Sequence, residues 1–109
     1  MRFLVLHCET HRFRFFNVKE ERSLRGDYRP VGQVEADDLD AAFCQLQALD
    51  ENGFHHFIPL QGQARCRSLS VGDILVTEQL EFFSVDSVGF SQLALVGDTL
   101  KPLPQEVYA

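Results

Sequence analysis

Apolar and polar positions fall into short runs with a period of two and one stretch with a helical period. Residues 2–8, Arg-Phe-Leu-Val-Leu-His-Cys, carry apolar side chains on both faces of a strand, as suits a strand inside a sheet. Residues 12–18, Arg-Phe-Arg-Phe-Phe-Asn-Val, alternate until Phe15-Phe16, so a second strand competes there with a short helix. The charged stretch 19–27 ends in Arg25-Gly26-Asp27 and predicts a loop, with that tripeptide in a turn. Residues 28–36 fit a short strand through Val31 and Val34. Pro30 lacks an N–H for the ladder, which places the start of that strand at an edge or just outside the pairing.

The helical period follows. Leu39, Ala42, Phe43, Leu46 and Leu49 recur at spacings of three and four, giving one apolar stripe. Asp37 suits the N-cap, Asp38 and Asp40 suit the positive first turn, and Gly53 suits the left-handed stop. The pattern predicts a helix of about three turns lying on a sheet, with Cys44 as a small core residue. Residues 54–67 lack periodicity and read as a packed connection anchored by Phe54, Phe57 and Ile58, with room for a short strand. Strands are predicted at Ile74–Thr77 and Glu81–Val88, joined by a turn near Gln79-Leu80. Residues 89–96 form another strand or a turn of helix, and the tail with Pro102 and Pro104 is extended. Strands, one helix, then strands predict a single α+β domain over residues 1–109. Its sheet would be antiparallel or mixed, with a partly closed barrel as one form it can take, and one main helix packed on it.

Composition agrees with a single soluble domain: 109 residues, 45% hydrophobic and 24% charged. No apolar run approaches the roughly 20 residues that cross a bilayer, and the first apolar run is too short for a secretory signal. Cys8, Cys44 and Cys66 are an odd set without a C-x-x-C pair, which predicts reduced thiols and a cytoplasmic location.

The net charge of −6 is uneven. Residues 1–34 hold seven basic and four acidic side chains, whereas residues 35–109 hold three and twelve. Arg2, Arg12, Arg14, Lys19, Arg22, Arg25 and Arg29 read as a solvated face balanced by Glu9, Glu20, Glu21 and Asp27. The acids Glu35, Asp37, Asp38, Asp40, Asp50 and Glu51 are a solubilising helix surface or a face for a basic partner. A nucleic-acid site would draw on Arg12-Phe13-Arg14-Phe15-Phe16, where cations and aromatics interleave.

Catalytic chemistry finds little footing. His7, Cys8 and His11 could supply metal ligands, but His7 and Cys8 point to opposite faces of a strand, and so would His55 and His56. Ser68 or Ser70 with His55 or His56, Cys66, and Asp73 or Asp86 has no spacing that fixes a triad, and G-x-S-x-G is absent. No phosphate-binding glycine loop occurs. The expectation is a non-enzymatic protein without metal or cofactor.

The stretch Arg67-Ser-Leu-Ser-Val-Gly-Asp73, followed by Val85-Asp-Ser-Val-Gly-Phe90, has two readings. In the structural one, Ser68, Ser70, Asp73, Asp86 and Ser87 bond local backbone, Leu69 and Val71 plug the core, and Gly72-Asp73 turns into a strand. In the functional one, the polar rim of this hairpin meets a partner.

Arg67-Ser-Leu-Ser-Val-Gly-Asp-Ile-Leu75 and Phe83-Ser-Val-Asp-Ser-Val-Gly-Phe90 together resemble the C-terminal signature of YodL-like domains. Upstream, Tyr28, Val31, Leu39 and Phe43 match that family's Tyr-x-x-V strand and Leu/Phe helix, so the resemblance spans about residues 28–93. Gly72 stands where a second serine is expected, and Phe82-Phe83 where two tyrosines are common. The resemblance implies a small cytosolic domain of bacteria, phages and mobile elements, with no shared enzymatic activity or cofactor. It implies a protein partner, in host machinery or host defence, rather than a membrane. Candidate contact residues are Asp37, Asp38, Asp40, Arg67, Ser68, Ser70, Asp73, Asp86 and Ser87. The Ser70-Val-Gly-Asp-Ile-Leu-Val76 turn is also similar to one in PUA-like and ASCH barrels, which makes a nucleic-acid-binding barrel the alternative.

Overall fold

The computed structural model describes residues 1–9, 21–47, 57–60 and 68–103. In chain order these form β1 (Arg2–Cys8), β2 (Arg22–Ser23), α1 (Leu24–Asp27), β3 (Tyr28–Glu35), α2 (Leu39–Gln47) and β4 (Phe57–Pro59). Then come β5 (Ile74–Val76), β6 (Phe82–Val85), β7 (Phe90–Val96) and β8 (Thr99–Pro102). The eight strands make one sheet in the order β2-β8-β7-β6-β5-β1-β3-β4, and every pairing is antiparallel.

The α+β expectation is corrected. Strands hold 50% of the described residues and helices 17%, so the domain is mostly β. The stretch 19–27, expected to be a loop, instead holds β2, which pairs with β8, and the short helix α1, while the extended tail joins the sheet as β8 along β7. A closed barrel is also excluded, because β2 and β4 lie at the two ends of the order and do not pair. Only the four residues of α1 separate β2 from β3, so the open sheet must curl to bring these distant strands near one another.

Curling gives the sheet two apolar faces. On the outer one, Phe3, Val5, Val34, Leu75 and Val85 pack beneath Ala42 and Leu46 of α2. On the concave one, Leu6, Tyr28, Ile74, Val76, Phe82, Leu93 and Leu100 pack together. Apolar side chains on both faces of β1 are therefore used, and β1 lies inside the sheet between β5 and β3 as its pattern predicts. The β1–β3 register shifts between Val5 and Leu6: Val5 faces Gly32 while Leu6 faces Pro30. Val31 is the extra residue, and the bulge turns it into the core under α2. β4 pairs only with Gly32–Val34, so Pro30 lies on a stretch of β3 with a neighbour on one side.

Helix α2 follows the predicted stripe with two corrections. Its cap is Asp38, one residue later than expected: Asp38 Oδ1 accepts from the Ala41 N–H at 2.8 Å, and the Asp38 carbonyl from the Ala42 N–H at 3.0 Å. Cys44 is exposed, not a core residue, because it lies two positions from Ala42 and Leu46 and so about 200° round the helix. Leu49 and Gly53 lie outside the described residues, as do the expected element at 12–18, Cys66, and His11, His55 and His56.

Two turns set the hairpins. Val96 pairs with Thr99, leaving Gly97-Asp98 as a two-residue loop. Gly97 holds the φ of +63° that a II′ turn asks of its first central residue. Between β5 and β6 the chain turns at 77–81, where the predicted turn lies, and Leu80 holds φ +62°. That left-handed conformation crowds the β-carbon of any L-residue and costs about 1–2 kcal/mol.

Candidate functional site

The eight expected contact residues that the structure describes do not converge. Asp37, Asp38 and Asp40 sit at the N-terminal end of α2, beside Met1 and Glu35, where the Ala36 N–H reaches the Met1 carbonyl at 3.0 Å. The 68–73 segment meets the other end of the helix: the Leu69 N–H donates to the Leu46 carbonyl, and Gln47 Nε2 donates to the Leu69 carbonyl. Nine residues at 1.5 Å each separate the two groups by roughly 13 Å. Arg67 lies outside the described residues.

Asp73 is the centre of the 68–73 segment and is fully buried. Oδ1 accepts from the Cys8 N–H at 2.8 Å, and Oδ2 accepts from the Ser70 N–H at 2.8 Å, with the Ser70 hydroxyl at 3.4 Å. One carboxylate thus joins the end of β1 to the turn that enters β5. The Asp73 backbone also takes part, its N–H donating to the Ser70 carbonyl and its carbonyl accepting from Val85. Ser68 is half-buried on the same segment. At the far end of β6, Asp86 Oδ2 accepts from the Ser91 hydroxyl, and the Asp86 N–H donates to the Gly89 carbonyl at 3.0 Å. Its Oδ1 is buried without a hydrogen-bond partner among the described residues. Ser87 is exposed at the loop tip beside Val88, which is 90% exposed.

The acids on α2 differ from one another. Asp38 is engaged as the cap, whereas Asp37 and Asp40 are exposed and make no hydrogen bond or ion pair among the described residues. Glu35 is exposed and pairs with Arg2 at 3.2 Å.

Sequence reasoning missed the interior of the curl. Arg22 was expected on a solvated face but is 2% exposed. Its Nη1 donates to Tyr28 Oη at 2.7 Å and to Ser84 Oγ at 2.8 Å, and Tyr28 Oη donates to the Gly72 carbonyl at 2.7 Å. This network ties β2 to β3 and β6 across the concave side. Burial pushes the Tyr28 phenol far above its ordinary range, the Arg22 guanidinium opposes this, and nearby Cys8 and Asp73 add to it. The one available sequence signal was Arg22 two positions before Leu24 in a run too short to show a period.

The remaining basic residues are mostly engaged. Arg29 pairs with Glu9 and Arg2 with Glu35, while Arg25 is exposed on α1. The Arg25-Gly26-Asp27 turn expected from sequence is the body of α1. Asp27 is buried with its Oδ2 accepting from the Ser23 N–H at 2.8 Å, and the Ser23 hydroxyl caps the Gly26 N–H at 3.0 Å. Asp98, in the turn between β7 and β8, holds the start of α1 from beside β2: its carboxylate accepts from the Ser23 hydroxyl and the Arg25 N–H. These bonds hold its carboxyl below the usual carboxylate range.

His7 and Cys8 follow one another along β1, and His7 is buried, so they do not share a face. No group of three or more His, Cys, Asp or Glu able to hold a metal occurs among the described residues. No helix among them is long and apolar enough to cross a membrane. No known family, curated protein or solved structure matches the chain. Geometry and chemistry therefore carry the functional argument.

Proposed function

We propose that the protein is a non-enzymatic binding domain that engages another protein through the acidic N-terminal end of α2. The observation that carries this reading is the contrast among the carboxylates. Asp27, Asp38, Asp73 and Asp98 are committed to backbone hydrogen bonds that build the fold, while Asp37 and Asp40 face water with no partner among the described residues. A rigid helix end carrying unengaged negative charge favours a basic partner surface and speeds encounter with it. On this reading the chain is a YodL-like domain that acts on host machinery or host defence, with the 86–89 loop as an outlying contact. Nucleic acid is the less favoured partner, since three of the four described arginines are paired or buried.

The test is capture of partners from a bacterial lysate by the tagged full chain, with and without nuclease, across a salt series. Asp38 is left intact so that the helix keeps its cap. Asp37→Lys/Asp40→Lys is expected to leave the melting temperature nearly unchanged and to cut the association rate of a captured protein by roughly tenfold at low salt. Capture indifferent to both charge reversal and salt would remove the acidic end from consideration. Partners lost on nuclease treatment would transfer the proposal to nucleic acid.

A further inference from the structure

Beside α1 the concave side of the sheet opens into an apolar cavity of about 430 Å³. Leu4, Leu6, Val76, Leu80 and Phe82 line it, with Tyr28 on its wall and Arg25 at its side. A volume of this size, apolar walls and one or two convergent polar groups are what small-molecule sites share.

Leu80 gives the cavity a direction. The turn that carries it is fixed by other residues. The Thr77 N–H reaches the Glu81 carbonyl at 2.9 Å, the Glu81 N–H reaches Thr77 Oγ1 at 3.1 Å, and the Leu80 N–H reaches the Thr77 carbonyl at 3.0 Å. Glycine would satisfy the same backbone at φ +62° without crowding. Leucine there is unfavourable twice in the free chain, through its backbone and because its side chain is 74% exposed. Both disadvantages are offset when an apolar body lies in the cavity beneath it. A non-glycine residue held left-handed at the mouth of an apolar site is the kind of strain that function retains.

Arg25 gives the cavity a sign. Its backbone N–H is held by Asp98, but its guanidinium makes no hydrogen bond or ion pair among the described residues. Asp98 is the acid whose charge it feels, and that carboxylate is already occupied by the Ser23 hydroxyl and the Arg25 N–H.

We infer that this cavity is a binding site for one small amphiphile, a hydrocarbon chain ending in a carboxylate, with Leu80 closing over the chain and Arg25 pairing with the head. The site is separate from the acidic end of α2, and neither reading depends on the other.

The test titrates the full chain with decanoate and with the neutral decan-1-ol, both below their aggregation limits, by calorimetry and by methyl NMR. One decanoate per chain is expected, with the largest shifts at Leu80, Val76 and Leu6. Leu80→Gly is expected to raise the melting temperature while weakening decanoate roughly tenfold or more. Arg25→Gln is expected to weaken decanoate by roughly tenfold, the scale of one charge-assisted hydrogen bond, and to leave decan-1-ol nearly unchanged. Both positions are at the surface, so both variants fold and the comparison survives. Absence of saturable binding overturns the inference, as does binding that Leu80→Gly leaves intact. A concentration-dependent dimer that Leu80→Gly dissolves, with no decanoate bound, also overturns it and assigns the cavity to a second copy of the chain.

Discussion

Asp73 is the residue on which the polar part of this fold turns. Its buried carboxylate satisfies two part-buried N–H groups from segments far apart in sequence, one ending β1 and one preceding β5. Alanine there would leave two donors without a partner, each costing about 1–3 kcal/mol, so Asp73→Ala should lose roughly 3 kcal/mol or more in urea unfolding. Tyr28 makes a second prediction through pH. Its phenol is raised by burial and stays neutral in the folded chain. The corresponding stability is fully present below the unfolded value of about 10 and is lost as pH rises above it. In a Tyr108→Phe background, the urea midpoint should fall from about pH 10 upward, and tyrosinate absorbance should appear only with unfolding. Tyr28→Phe should be less stable at neutral pH, having lost its bonds with Arg22 and Gly72, and flatter across the same window.

At the level of elements, β1 and α2 were readable from their apolar pattern, and β3, β5 and β6 from short apolar runs bounded by turn residues. β1 has apolar positions on both faces, and α2 has its stripe at Leu39, Ala42, Phe43 and Leu46. β2 was not readable: two residues carry no period, and the strand exists because Leu100 and Thr99 arrive to pair with it. The Asp37 cap was misplaced by one residue because Asp37 and Asp38 are chemically equal candidates, and only backbone geometry separates them. The candidate hairpin rim was readable as a chemical pattern, but the same serines and aspartates serve backbone bonding or partner contact until their hydrogen bonds are seen. β4 offers an element-scale prediction. A β-carbon on Gly32 would lie 2.5 Å from the Ile58 carbonyl oxygen and 2.6 Å from the Phe57 ring. Gly32→Ala should therefore push β4 off the sheet. Stability should fall by about 1–3 kcal/mol, and amide exchange should rise first at Phe57, Ile58 and Leu60.

Across the whole molecule, charge and curvature are segregated. Unengaged carboxylates gather at the N-terminal end of α2, on the convex side, whereas the concave side gathers apolar walls and the buried Arg22–Tyr28–Ser84 network. This curvature could not be read from local pattern. It follows from strand order, in which β2 and β3 are neighbours in sequence yet nearly opposite ends of the pairing order. The sequence pattern reported alternation faithfully but had no way to say which strands would meet.

That strand order has a consequence for synthesis. A chain emerging from the ribosome can pair β1 with β3 and lay α2 upon them long before β8 exists. β2 has nothing to pair with until residues 99–102 appear, and the Ser23–Asp98 bond spans 75 positions. Arg22 must therefore wait in water until β6 and β8 have both emerged before its interior place is built. A nascent chain stalled at Val96 should show β1 and β3 protected in pulsed hydrogen exchange and β2 open. Emergence of β8 should protect Arg22 and Leu24 in a single late step, set by closure of the loop between residues 24 and 98.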